Sequence, residues 1–304
     1  MAPNQDSVLI TGCTNGSAGH ALALECANRG MRVFATARSL RSLSALEEKG
    51  IETFTLDVTS SESIAALKAE IIKRTGGKLD MLFNNAGMMY EAPAIESDPV
   101  RIRAMFNANV FGVFDMVSAF MPLLLASSST SSPSRPPTIV NTASILAKVP
   151  YPFSAAYNAT KAAVASYSDT LRLELAPLGI KVVTLYMGVV STGISSPDAI
   201  RFDPGSLYAD LEGRVKERSR EHQVSGMKAE QFAKEVVQEL MKKRGLGQGE
   251  SVWKGANATV VWFFSSIGWR RIFEWSSQQE IGLDKSLKRA IGDKGRVAAQ
   301  QKLN

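Results

Sequence analysis

The chain alternates short apolar runs with longer stretches whose apolar residues recur every three or four positions. Residues 7–11 (SVLIT), 31–37 (MRVFATA), 52–56 (ETFTL), 79–83 (LDMLF), 138–142 (TIVNT) and 180–186 (IKVVTLY) are brief and apolar, and read as buried strands. A final strand is expected near residues 251–254. Between them lie helical patterns. Ala21, Leu22, Leu24, Cys26 and Ala27 make a helix that stops at Gly30. Residues 42–49 make a short one, and residues 61–74 carry an apolar stripe of Ile64, Leu67, Ile71 and Ile72. Residues 100–125 form one long helical stretch containing Asn107, Asn109 and Gly112, and residues 155–175 another. Strands alternating with helices predict an α/β fold with a doubly wound parallel sheet. The segment 127–137 (SSSTSSPSRPP) is low in complexity and reads as a flexible surface loop.

Composition narrows the function. The 304 residues are 45% hydrophobic, enough for a sizeable core in one large domain or two small ones. The net charge of +6 is modest for this length, and no basic block is interleaved with aromatics, so nucleic-acid binding is not expected. Cys13 and Cys26 are the only cysteines, which fits a reducing compartment. With only His20 and His222, neither a His/Cys metal site nor a Ser-His-Asp triad is expected. The polar start, MAPNQDS, carries no cleavable signal pattern.

The chemistry collects where the strands end. After the first strand comes GCTNGSAG, with Gly12, Gly16 and Gly19 expected in a tight turn before a helix, the context in which glycines admit a pyrophosphate. Arg38 follows the second strand, and residues 31–44 hold no acidic side chain. With Arg41 nearby this favours a 2′-phosphate, hence NADPH, over a solvated loop arginine. Asp57, Asn85 and Ser144 also follow predicted strands, where doubly wound sheets bind ligands. Tyr157 and Lys161 are four apart and share a helical face. A lysine beside a tyrosine favours the phenolate, lowers the phenol pKa and lets it move a proton near neutrality.

These motifs, in this order, resemble the short-chain dehydrogenase/reductase family. They are TGCTNGSAG, NNAG at 84–87, NVFG at 109–112, Ser144 and Tyr157-x-x-x-Lys161, and the likeness spans roughly residues 7–192. ATAR around Arg38 and VPYPFSAAYNATKAAV at 149–164 look like fungal NADPH-dependent reductases of the 1-acyldihydroxyacetone-phosphate type. They look more distantly like 17β-hydroxysteroid dehydrogenases. The resemblance implies a single Rossmann-type domain over residues 1–254, with a helical substrate cap at about 194–225 and a C-terminal extension at 255–304. It implies a catalytic tetrad of Asn109, Ser144, Tyr157 and Lys161. NADP(H) contacts would come from Gly12, Thr14, Asn15, Gly16, Ser17 and Gly19, from Arg38, Asp57 and Val58, and from Asn85, Ala86 and Gly87. Tyr157 and Lys161 would contribute again, with Gly188, Val190 and Thr192. No metal is implied.

The implied reaction is NADPH-dependent reduction of a ketone on a bulky, apolar, lipid-like or secondary-metabolite substrate. Alcohol oxidation, redox-neutral isomerisation and a non-catalytic NADP(H)-binding scaffold are the alternatives. Two departures from the family pattern stand out. The third glycine comes one residue late, with Ser17 where glycine is common, so Ser17 could donate to a phosphate. Met187-Gly188 replaces the usual proline-glycine. In the cap, Ile200, Phe202, Leu207, Tyr208 and Leu211 are expected to be core rather than ligand contacts.

The C-terminal region holds Trp253, Trp262, Trp269 and Trp275, with Arg270 and Arg271, and a tail from 281 with six basic and two acidic residues. It suits a helix lying on a membrane or lipid-droplet surface, or equally a packed cap or subunit contact. The expected partners are a small-molecule ketone or alcohol and further copies of the chain as a dimer or tetramer. The expected location is the cytoplasm, with peripheral contact to endoplasmic-reticulum or lipid-droplet membranes through this segment.

Overall fold

The computed structural model describes residues 5–128, 135–267 and, near the C-terminus, 276, 278–280, 282, 284 and 286–294. The elements run β1 (Ser7–Ile10), α1 (Ala18–Asn28), β2 (Arg32–Ala37), α2 (Ser44–Glu47), β3 (Glu52–Thr55), α3 (Ser61–Thr75), β4 (Met81–Asn84) and α4 (Pro99–Phe106). After a π-turn at Asn107–Phe111 come α5 (Gly112–Ser128), β5 (Thr138–Ser144), α6 (Ala155–Leu175), β6 (Lys181–Met187) and β7 (Val190–Ser191). The chain continues as α7 (Glu212–Ser225), β8 (Met227–Lys228), α8 (Ala229–Leu240), β9 (Ser251–Lys254) and α9 (Ala258–Ser266).

Seven strands form one parallel sheet in the order β3-β2-β1-β4-β5-β6-β9. Side chains alternate across it, as the pleat requires. On β1, Val8 and Ile10 pack with Leu22 of α1 and Phe232 of α8, while Leu9 packs with Ile71 of α3 and Phe120 of α5. β1 is bonded on one side to β2 and on the other to β4, so the chain reverses its winding there. That switch opens a crevice at the carboxyl ends of the strands.

The long helical stretch is not continuous: the π-turn interrupts it and carries Asn109 inward to 1% exposure. Gly19 lies inside α1 rather than in the turn, because Ser17 caps that helix. The helical part of the cap is confined to α7, with short 3₁₀ turns at Pro197–Ala199 and Ala209–Leu211. The pairing of β7 with β8 is unannounced by the sequence pattern, since each strand is two residues long. Ile200, Phe202, Leu211 and Val215 form a satellite core with Phe153, joined by Leu287 and Ile291. Most of the serine-rich loop, and Trp269, Arg270, Arg271 and Trp275, lie outside the described residues.

Candidate active site

Gly12 and Gly16 both take φ of +75°, which favours glycine. A Cβ on Gly12 would lie 2.8 Å from Ala86 Cα, and one on Gly19 only 2.3 Å from the Gly12 carbonyl oxygen, so side chains are barred from the inner wall. Over Gly16 the space is open: a Cβ there meets nothing within 4 Å. Exposed Thr14 and Asn15 border the same turn. Thr11 ties the turn to β4, its hydroxyl accepting from Asn85 N at 3.0 Å and Ala86 N at 2.9 Å. The Asn85 side-chain amide donates to Thr11 O at 2.9 Å and Gly12 O at 3.3 Å. Asn85 therefore braces the turn. Ser17 is also committed locally: its hydroxyl donates to Gly12 O and accepts from His20 N, both at 3.1 Å. Ser17 thus caps α1, and donating to a phosphate would require its hydroxyl proton to turn from Gly12 O.

Arg38 is exposed just beyond β2 and Arg41 one turn on. Asp57 follows β3, its carboxyl held below the usual range by hydrogen bonds from Thr59 and, more weakly, by the Arg38 charge. Val58 packs on Gly112, where a Cβ would come within 2.9 Å of it. A bare-backboned turn with open space above it, capped by a helix N-terminus and flanked by exposed arginines, fits a phosphorylated dinucleotide.

The four tetrad positions converge on the far side of β4. Ser144 ends β5, and Tyr157 and Lys161 are 8% and 4% exposed on α6. Lys161 Nζ donates to the Thr142 carbonyl at 2.8 Å. Asn109 Oδ1 accepts from Met88 N at 2.8 Å, and its Nδ2 donates to Met88 O at 2.9 Å and Thr160 Oγ1 at 3.1 Å. The Asn109 amide thus pins the segment after β4. Gly87 lets that segment close in, since a Cβ there would sit 3.2 Å from Asn109 Oδ1 and 3.7 Å from Lys161 Nζ.

The electrostatics differ from the expectation that Lys161 lowers the phenol. Burial pushes Tyr157 up to about 12, aided by the Glu91 charge and only partly offset by the Ser144 hydroxyl. Lys161 lies 5.7 Å from the Tyr157 ring centroid, and burial drops its own pKa to about 8. The Ser144 hydroxyl donates to Met187 O at 3.3 Å and accepts from Leu146 N at 3.1 Å. Met187 keeps its strand register where proline is usual, paired with Ser144 and Lys254. Gly188 is forced by packing: a Cβ would fall 2.1 Å from Ala256 O.

A cavity of about 330 Å³ opens in front of Ser144 and Tyr157, with Gly188, Val190 and Thr192 also in its wall. Leu146, Val149, Ile194 and Val260 make one side apolar, while Tyr151, Arg218, His222 and Glu280 make another polar. Sequence reasoning missed the polar side. Glu91 and Arg218 form a buried ion pair at 2.7 Å across 127 residues, and no periodicity or motif marks either one.

Comparison with known proteins gives the family. Residues 6–199 match the family model for short chain dehydrogenases. The chain is similar to the short-chain dehydrogenase virD of Hypocrea virens, with 36% identity covering 94% of this chain and 96% of the relative. It is also similar to the NADPH-dependent 1-acyldihydroxyacetone phosphate reductase of Schizosaccharomyces pombe, with 42% identity covering 62% of this chain and 61% of the relative. A solved short-chain dehydrogenase from Streptomyces avermitilis superposes with a TM-score of 0.74 at 24% identity, covering 94% of this chain and all of that one.

Proposed function

The chain belongs to the short-chain dehydrogenase family and is an NADP(H)-dependent oxidoreductase, and on that premise we propose that it reduces the ketone of a bulky, largely apolar substrate. The single observation that carries the direction is Arg38, exposed just beyond β2 with no acidic side chain over residues 31–44 to bond a ribose hydroxyl: it suits the 2′-phosphate of NADPH, whose pool is usually kept reduced. Reduction consumes a proton at the carbonyl oxygen, and the buried Tyr157 phenol, protonated across the neutral range, can give it.

Bound NADPH supplies the hydride; what remains is the work of the chain's side chains. Ser144 turns its hydroxyl from the long bond to Met187 O toward the substrate oxygen. Tyr157 passes its proton to that oxygen as negative charge develops there. Lys161, anchored on Thr142 O, has donors left for the cofactor ribose. Asn109 keeps Met88, and with it the floor of the site, in place. The balance is ketone, NADPH and one proton to alcohol and NADP⁺. The apolar wall supports a lipid-like or secondary-metabolite body for the substrate.

Titration with NADPH and NADH, then NADPH oxidation against acyl-dihydroxyacetone phosphates, steroids and aromatic polyketides, tests the reading. Tyr157→Phe is expected to lose about 10²–10⁴-fold in turnover while still binding NADPH. Turnover retained in that variant would remove Tyr157 from its role.

A further inference from the structure

We infer that the cavity selects uncharged substrates, and that Glu91 enforces this by holding Arg218 in a neutral latch. The inference rests on the reading of this cavity as the substrate site.

Among the described residues, the carboxylates, guanidinium and imidazole lining the cavity are Glu91, Arg218, His222 and Glu280. An arginine in such a wall would ordinarily mark a phosphate or carboxylate subsite. Here it is spent. The Arg218 side chain is 2% exposed, with Nη2 on Glu91 Oε1 at 2.7 Å. Its two terminal nitrogens reach the Pro152 carbonyl at 3.4 and 3.5 Å, and its guanidinium carbon lies 4.1 Å from the Tyr151 ring centroid. Glu91 is spent as well, accepting from the Ser154 hydroxyl at 3.3 Å and the Ser195 hydroxyl at 2.9 Å.

The imidazole is matched too. His222 Nε2 lies 3.4 Å from Glu280 Oε1 and 3.2 Å from the Tyr151 hydroxyl. Burial raises the Glu280 carboxyl, but His222 and Arg218 more than reverse this and hold it below its usual range, so it is ionised. An entering anion would shed its water and find, among the described residues of the lining, no unmatched guanidinium, with the Glu280 carboxylate in the same wall. A neutral ketone loses little on the same walls, since Leu146, Val149, Ile194 and Val260 take its apolar body. This separates the chain from the fission-yeast relative named for a phosphate ester, whose match covers 62% of this chain.

The test is calorimetric titration of the full chain, saturated with NADP⁺, using two matched pairs. One is 1-hexanoyl-dihydroxyacetone and its phosphate; the other is 2-tetralone and its 6-carboxylate. The neutral member is expected to bind at least about 30-fold more tightly in each pair, as like-charge juxtaposition predicts. Equal or tighter binding of the anion overturns the inference, and so does failure of all four to bind. Glu91→Gln keeps an oxygen for Arg218 and Ser154, reverses the Ser195 bond so that the amide donates, and unmasks the guanidinium charge. It is expected to narrow the gap by at least about tenfold through tighter anion binding, and Glu91→Gln with Arg218→Gln to restore it. An unchanged gap in a folded Glu91→Gln removes Glu91 from the role, and should that variant not fold, the wild-type pairs still decide. Binding of the neutral ketones with no NADPH oxidation would sink the reductase reading and leave this inference standing.

Discussion

The two sides of the crevice are built by opposite means. On the nucleotide side, shape comes from the backbone: positive φ at Gly12 and Gly16, the Thr11 and Asn85 bonds, and contacts too close for any Cβ. On the substrate side, shape comes from an ion pair and its hydrogen-bonding hydroxyls drawn from distant segments, with Glu91 after β4, Ser154 before α6, Ser195 in the cap and Arg218 on α7. The first kind of wall admits no added atom at Gly12 or Gly19 and takes its charge from the exposed arginines at its edge. The second tolerates changes of shape but not the loss of one charge.

The largest expected effect breaks the substrate side. Arg218→Met leaves Glu91 buried and unpaired, and should cost about 3–5 kcal/mol of stability in urea melts. Adding Glu91→Gln should recover most of it; no recovery would show that packing, not charge, holds the cap. Next comes the nucleotide side. Gly19→Ala forces a Cβ against the Gly12 carbonyl and should cost about 1–3 kcal/mol, with NADPH affinity falling more than the affinity of any cavity ligand. If NADPH binding is unmoved, the turn is not what shapes the cofactor site.

A third expectation concerns acid and base. Burial depresses Lys161 to about 8 in the folded chain, from 10.5. Its ammonium is lost as pH rises through about 8, so kcat/KM for ketone reduction should fall there while Tyr157 is still protonated. Stability should move the other way. Between about 8 and 10.5 the unfolded chain binds the extra proton, so Lys161's contribution to stability rises with pH. A pH profile limited near 12 would instead assign the alkaline limb to Tyr157.

The smallest effect lies outside both walls. Trp262, Phe263 and Ile267 are about half exposed along and just after α9. Trp262→Ser should change stability by under about 0.5 kcal/mol, yet lower sedimentation with anionic vesicles if this helix meets lipid. Failure of the intact chain to sediment would end the membrane reading.

The same contrast explains what was legible in the sequence. The seven strands of the main sheet, the glycine turn and the Ser144, Tyr157 and Lys161 constellation were readable, because local pattern and short spacing dictate them. The ends of the elements moved by a few residues, as at β5, which runs on to include Ser144 itself. The π-turn was not readable, since its residues fit an α-helical pattern equally well and only packing turns Asn109 inward. Glu91, Arg218 and Glu280 were invisible for a different reason: a charged residue is usually solvated, and only the fold brings these three to one wall. The burial that pushes the Tyr157 phenol up was not readable, because spacing on a helix gives proximity but not burial.

The short pairing of β7 with β8 has a consequence for how such a chain can change. Val190 sits opposite Met227, and the Ser191 hydroxyl donates to Gly226 O at 3.0 Å, so the cap leaves the body and rejoins it at adjacent points. A segment closed at its neck behaves as a cassette whose exposed stretches can change in length at a loop-closure cost that grows only slowly with size, while the sheet below stays in register. It must keep its inner ties: Ser195 and Arg218 on Glu91, and the packing of Ile200, Phe202 and Leu211 on Phe153. New substrates can then be reached by rewriting the other residues of 193–226, with the machinery for moving hydride and proton left as it is.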